Sequence, residues 1–216
     1  GTAGQEAGLQ FYDGSTENTL RFYEYTGSDV IVLAPNRLLT DPSAWYHVVI
    51  GVDTTQSTES NRVKYYLNGV QETSFATATY PSLNYDTKFN TSGQTNYIGF
   101  LGSHSAYFDG YMAETILVDG QQLDPTSFGE FDEDSPTIWK PKDVSDLTFG
   151  TNGFYLDYED SSALGNDAAG SNNFTVNNLT AIDQSTDTCT NNFAVLQPNL
   201  GPRYSTQTFS NGNLSV

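Results

Sequence analysis

Hydrophobic and polar positions alternate along much of the first seventy residues. Over Thr19–Tyr25 (TLRFYEY), Leu20, Phe22 and Glu24 fall on one side and Arg21, Tyr23 and Tyr25 on the other. Over Arg62–Asn68, Val63, Tyr65 and Leu67 alternate with Arg62, Lys64 and Tyr66. A period of two sends successive side chains to opposite faces of an extended backbone, so both stretches predict strands with one buried face. Ala44–Asp53 predicts a longer strand with Trp45, Val48, Ile50 and Val52 turned inward. Gly8–Asp13, Asp29–Leu33, Asn96–Leu101, Tyr107–Asp119 and Phe154–Tyr158 add further strands, and Phe174–Val176 and Phe193–Leu196 two short ones.

The breaks between these runs carry their own chemistry. Asn68-Gly69 supplies two residues that accept left-handed backbone angles, the signature of a tight hairpin, with Val70–Phe75 as the returning strand. No helical period is sustained. A single helical turn is predicted at Asp124–Phe128, where Asp124 is a natural N-cap and Pro125 suits the first helical position. The segment Ser135–Ser145 (SPTIWKPKDVS) holds two prolines and Trp139. An exposed Trp is uncommon, so this connection is expected to be packed by Trp139 rather than to hang free. Residues 161–192 are rich in Asn, Ser, Asp and Gly and predict long loops. The fold class is therefore all-β.

Composition agrees and narrows the function. Of the 216 residues, 14 are Tyr and 13 Phe, types that suit pleated, half-buried surfaces. The formal charge is −18, from 26 acidic and 8 basic residues, with no cluster of Lys and Arg. A nucleic-acid backbone needs such a cluster, so that class of partner is excluded. No apolar run reaches the length of a membrane-spanning helix, and membrane insertion is not expected. Cys189 is the only cysteine, so no internal disulfide can form, which fits synthesis in a reducing cytosol. The chain opens Gly-Thr-Ala-Gly without Met and is expected to be a processed product or part of something longer.

Five segments, taken in order, carry a family resemblance: DPSAWYHVVIGVDTT, NRVKYYLNGVQ, YIGF, YFDGYMAETILVDGQQLDPTSFGEFDE and GTNGFYLDYEDSSALGNDAAGSNNFTVNNLT. Together, over about Asp41 to Leu196, the chain resembles the concanavalin A-like (laminin G-like) jelly-roll domains of marine bacteriophage structural proteins. The resemblance implies an antiparallel β-sandwich jelly roll at 1–134, with its usual N-terminal strand missing or upstream of Gly1. It implies a connection at 135–149 packed by Trp139, and an Asn/Ser/Gly-rich extension, or the start of a second β-sandwich module, at 150–216. One departure is plain: relatives read Asp-Thr-Pro-Thr-Asn-Asn where this chain has Asp187-Thr188-Cys189-Thr190-Asn191-Asn192. The implied role is a non-enzymatic virion protein (tail fibre, capsid fibre or decoration) at the particle surface. Its partners would be other virion proteins and further copies of itself, with host-surface glycans as contacts.

Rival functions were weighed on their residues. Glycan-cleaving relatives carry Glu-x-Asp-x-x-Glu on a strand, which sets acids on one face. The nearest match here, Glu130-Phe131-Asp132-Glu133-Asp134-Ser135, lacks the last acid and is expected to be a solvated loop. His47 and His104 are the only histidines; neither belongs to a nucleophile motif or a zinc-spaced set. Calcium takes six to eight oxygens, and Asp157, Asp160, Asn166 and Asp167 would offer some if their loop folds back; the alternative is loop capping by those side chains. Asp53 and Asp109 rank behind them. A calcium-dependent surface lectin or adhesin of a bacterium is the rival that this set would serve. Sugar binding needs an aromatic platform beside polar groups, and Tyr80, Tyr85, Tyr97, Tyr107 and Tyr111 are available, with Tyr107, Tyr111 and His104 as the leading contacts.

Overall fold

A computed structural model of the chain describes residues 6–12, 19–89, 91–102, 105–185 and 188–189. Its strands are β1 (Glu6–Tyr12), β2 (Thr19–Tyr25), β3 (Asp29–Pro35), β4 (Val48–Val52), β5 (Val63–Leu67), β6 (Val70–Gln71), β7 (Phe75–Thr79), β8 (Phe100–Leu101), β9 (Ala106–Tyr107), β10 (Thr115–Leu117), β11 (Gly129–Phe131), β12 (Trp139–Pro141) and β13 (Phe154–Leu156). Every strand pair is antiparallel. Helix among the described residues is limited to three 3-10 turns, at Glu59–Asn61, Pro125–Ser127 and Ala181–Asp183. The described residues fall into two compact units: the chain up to Tyr111 with Val118–Asn152, and Met112–Leu117 with the chain from Gly153 on.

The first unit is a sandwich. One sheet runs β1-β2-β3-β7 and the other β4-β5-β6. The alternation read from the chain decides what lies between them: Phe22, Ile31 and Leu33 from the first sheet meet Val63, Tyr65 and Leu67 of β5 in one buried cluster. Val48, Ile50 and Val52 pack against it as expected, but Val49 is also buried, so β4 is covered on both faces. The Tyr65 hydroxyl crosses the cluster and donates to the Leu20 carbonyl at 2.9 Å, tying β5 to β2. A buried hydroxyl keeps its partner or costs free energy, and burial pushes the Tyr65 phenol well up, with the Glu72 charge adding to it.

Glu24, with no exposed surface, points into the same interior. It accepts the Tyr85 hydroxyl at 2.5 Å and the Lys88 amide at 2.9 Å. The segment after β7 is thereby fastened over β2, and Phe89 stacks on Phe22 with ring centroids 4.8 Å apart. Burial, and then the carboxyl of Glu24, push the Tyr85 phenol up to about 12.

The Asn68-Gly69 turn forms as its residues require. Asn68 has φ 47° and Gly69 φ 77°, and Leu67 pairs with Val70 across them. Asn68 also ends the ladder below: its Oδ1 accepts the His47 amide and its own amide donates to the His47 carbonyl, both at 2.8 Å. The ladder of β4 therefore starts at Val48, four residues later than the sequence predicts. The returning strand is shorter too. β6 ends at Gln71, and the chain crosses at 72–74 to join the other sheet as β7. At the crossing the buried Glu72 carboxylate is held by the largely exposed Arg37 guanidinium at 2.5 Å.

Trp139 packs, as expected. β12 pairs with β11, and the indole lies edge-on to Phe131 at 5.0 Å. Gly69 and Gly129 leave room for it, since a Cβ at either would run into the ring. The indole N–H donates to Nδ1 of His47 at 3.0 Å. That bond needs a neutral imidazole, and burial holds His47 below its usual pKa. The sign is fixed: below about pH 6.5 the unfolded chain takes up a proton that folded His47 resists, so stability falls as the solution is acidified. His47→Gln keeps an acceptor for the indole but does not titrate. Its melting temperature is expected to drop less than wild type between about pH 7.5 and pH 5.5.

The acidic segment corrects one expectation. Glu130 and Phe131 belong to β11 rather than to a solvated loop. Lys140, opposite Glu130 in the register, reaches Asp132 at 3.2 Å and Glu130 at 3.7 Å across the pair. Asp124 caps its 3-10 turn as predicted, accepting the Thr126 amide at 2.9 Å.

In the second unit β10 pairs with β13. Asp167, 3% exposed, accepts backbone amides from Tyr155, Ala169 and Asn172 at 2.9 to 3.0 Å and so organises the loop that follows β13. Phe174 contacts Phe154 edge-on at 4.9 Å, but 174–176 forms no strand. The expected strand at Phe193–Leu196 lies outside the described residues.

Candidate functional site

A cluster of rings sits on the surface of the first unit. β8 and β9 form a short hairpin in which Phe100 faces Tyr107, and the Phe108 amide donates to the Gly99 carbonyl at 2.8 Å. Tyr97 meets Phe100 edge-on at 5.2 Å, and Phe100 meets Tyr107 at 4.8 Å. Phe108 stacks on Phe11 of the edge strand β1 at 6.3 Å. Two glycines permit the crowding: a Cβ at Gly110 would come within 2.8 Å of the Phe108 ring, and one at Gly102 within 3.4 Å of Tyr97. Tyr97 is 51% exposed, Tyr107 73% and Tyr111 64%. Rings that hold one another in place while facing solvent form a preorganised apolar platform with polar hydroxyl tips.

Two of the three sugar contacts expected from sequence, Tyr107 and Tyr111, stand on this surface; His104 lies outside the described residues. The other tyrosines divide. Tyr97 joins the platform, Tyr80 packs against the sandwich core, and Tyr85 is engaged by Glu24. Phe11, Phe100 and Phe108 were not signalled by the sequence pattern. Phe11 stands on β1, Phe100 on β8 and Phe108 just after β9, and the ring contacts they make arise from tertiary packing that strand alternation does not encode.

The calcium set is differently employed. Asp167 spends its carboxylate on backbone amides: burial works to raise its pKa, but the N–H groups of Tyr155, Asn172, Ala169 and Gly170 outweigh that and hold it low. Asp160 accepts the amide and hydroxyl of Ser162, Asp157 accepts the Glu159 amide, and Asn166 is exposed, its amide donating to the Ala163 carbonyl. These are the loop-capping roles that were the alternative. Among the described residues no three His, Cys, Asp or Glu side chains gather to hold a metal ion. Asp53 caps its own loop through Thr55 and Gln56, and Asp109 is exposed.

Two further features have no counterpart in the sequence reading. In the second unit Glu114, at φ 52°, accepts the Tyr155 hydroxyl. Burial raises its carboxyl pKa, Asp157 and Glu159 push the same way, and the Tyr155 bond works against them. In the first unit a groove of about 440 Å³ runs beside β5, β6 and β7, with Asn61, Lys64, Glu72, Phe75 and Tyr80 among its lining.

Both sheets of the sandwich and the ring platform lie within one family match. The model of the concanavalin A-like lectin/glucanase superfamily, laminin G type, covers residues 1–121, and the chain belongs to that family. The match reaches back to residue 1 and ends at 121, whereas the motif resemblance ran from 41 to 196. No curated protein and no solved structure matches the chain.

Proposed function

We propose that the protein is a non-enzymatic adhesion module that binds glycans through the platform of Tyr97, Tyr107 and Tyr111, displayed on a virion as a tail fibre, capsid fibre or decoration. The observation that carries the reading is the exposure of Tyr97 and Tyr107, whose rings both contact Phe100 of the β8-β9 hairpin, with the exposed Tyr111 four residues after Tyr107. The flat C–H face of a pyranose offers such rings an apolar partner, while hydroxyls on both sides stay hydrogen-bonded. Membership of a superfamily named for lectins and glucanases supports carbohydrate as the ligand. Contact rather than cleavage is favoured because the Glu-x-Asp-x-x-Glu alternation of glycan-cleaving relatives is incomplete here, and Glu130 and Asp132 of its nearest sequence match are engaged by Lys140. The virion setting rests on the ordered motif resemblance, and copies of the chain and other virion proteins would be its partners there.

The test is binding to an oligosaccharide array by wild type and by the Tyr107→Ala/Tyr111→Ala double variant. Both rings lie outside the buried core, so the melting temperature is expected to stay the same while affinity falls about tenfold or more. Equal binding by the two proteins would refute the platform. Chelator is expected to leave binding unchanged; its loss would favour the calcium-dependent bacterial lectin. Mass spectrometry of purified particles tests the setting, and recovery only from cell envelopes would overturn it.

A further inference from the structure

We infer that the glycan taken by this platform is an uncharged one: a neutral hexose polymer, not a sulfated or uronate-rich polysaccharide. The inference rests on the proposed platform and adds the class of ligand. Recognition of sulfate or carboxylate relies on charge-assisted bonds from Arg or Lys. From Phe89 to Trp139, a stretch that includes the whole hairpin, the chain has no Lys or Arg and eight Asp or Glu. Four of the seven cations elsewhere in the first unit are committed within the fold; the other three, Lys64, Lys88 and Lys142, lie outside the 89–139 stretch that holds the platform. Arg37 is paired with Glu72. Arg62 donates to the carbonyls of Gln56, Pro81 and Ser57. Lys140 serves Asp132 and Glu130. Arg21 donates to Gln10 and lies over the Tyr23 ring at 4.6 Å.

Long-range attraction does not replace what is missing locally. The whole chain carries −18, so its field repels a polyanion at every distance where salt leaves it unscreened. Stacking on tyrosine has no such requirement. It depends on apolar area and dispersion, and it favours a neutral ring that sheds little hydration when its C–H face is covered. Binding should then be almost indifferent to ionic strength, unlike recognition of a charged polymer.

Isothermal titration of the full chain at about pH 8 tests this with two sets of probes. One set holds neutral gluco-, manno- and galacto-oligosaccharides; the other holds heparin fragments and oligogalacturonate. The expected result is binding to a neutral probe that changes less than about twofold between about 50 and 500 mM NaCl, with the anionic probes at least about tenfold weaker. Tighter binding of an anionic probe, lost in salt and also lost in Tyr107→Ala, would overturn the neutral assignment and leave the platform standing. Anionic binding that Tyr107→Ala does not affect, or no binding by either set, would overturn both.

Discussion

Trp139→Ala is expected to lower the stability of the first unit by about 3 kcal/mol, the usual range for removing a packed indole. The ring does three jobs at once. It fills the space left by Gly69 and Gly129, it packs edge-on against Phe131, and it donates to His47. Removal opens a cavity that two glycine backbones on separate hairpins cannot close, and it leaves the half-buried His47 Nδ1 without its donor. Trp139→Phe separates the terms. It keeps most of the ring but lacks the N–H, so it is expected to cost about 1–2 kcal/mol. Urea denaturation of the three proteins checks both values. A Trp139→Ala change below about 1 kcal/mol would mean that the 135–145 connection is a loose linker after all.

Replacement of Glu24 is the second large effect. Glu24→Ala is expected to destabilise by about 3 kcal/mol, because it leaves the Tyr85 hydroxyl and the Lys88 amide facing a buried void. The damage is specific in place. The segment between β7 and Phe89 loses its anchor on β2, so proteolysis should nick near Tyr85 and Lys88 before the sandwich unfolds. Tyr85→Phe removes one of the two bonds without the void and is expected to cost about 1 kcal/mol. Glu24→Ala with wild-type stability and wild-type protease resistance would show that the carboxyl has no structural part.

Much of the sandwich was legible in the sequence because several strands alternate apolar and polar positions. Thr19–Tyr25 alternates and forms β2 with those bounds; Val63, Tyr65 and Leu67 alternate and are the inner face of β5. Asn68-Gly69 announced its hairpin because few residue pairs accept both angles. Legibility failed where partners lie outside the local pattern. Glu72, at the crossing after β6, is held by Arg37, a pairing across thirty-five residues that no local pattern contains. It failed again at Glu130-Phe131, which pairs with Trp139-Lys140 as a strand. At the site, Tyr107 and Tyr111 were expected on a strand over Tyr107–Asp119, whereas β9 ends at Tyr107 and Tyr111 lies beyond it, exposed. Asp157, Asp160 and Asp167 of the calcium set accept backbone amides of their own loops, a use of the side chain that composition alone does not reveal.

The most direct measurement is an aromatic proton–carbon NMR titration of the folded protein with a neutral oligosaccharide identified by calorimetry. Shifts are expected at the Tyr97, Tyr107 and Tyr111 rings, while Tyr23 and Tyr65 inside the sandwich stay still. Shifts centred on Tyr80 and Phe75 in the groove, or on the Asp157–Asp167 loop, with the three exposed tyrosines unmoved, would contradict the assignment of this surface as the contact site.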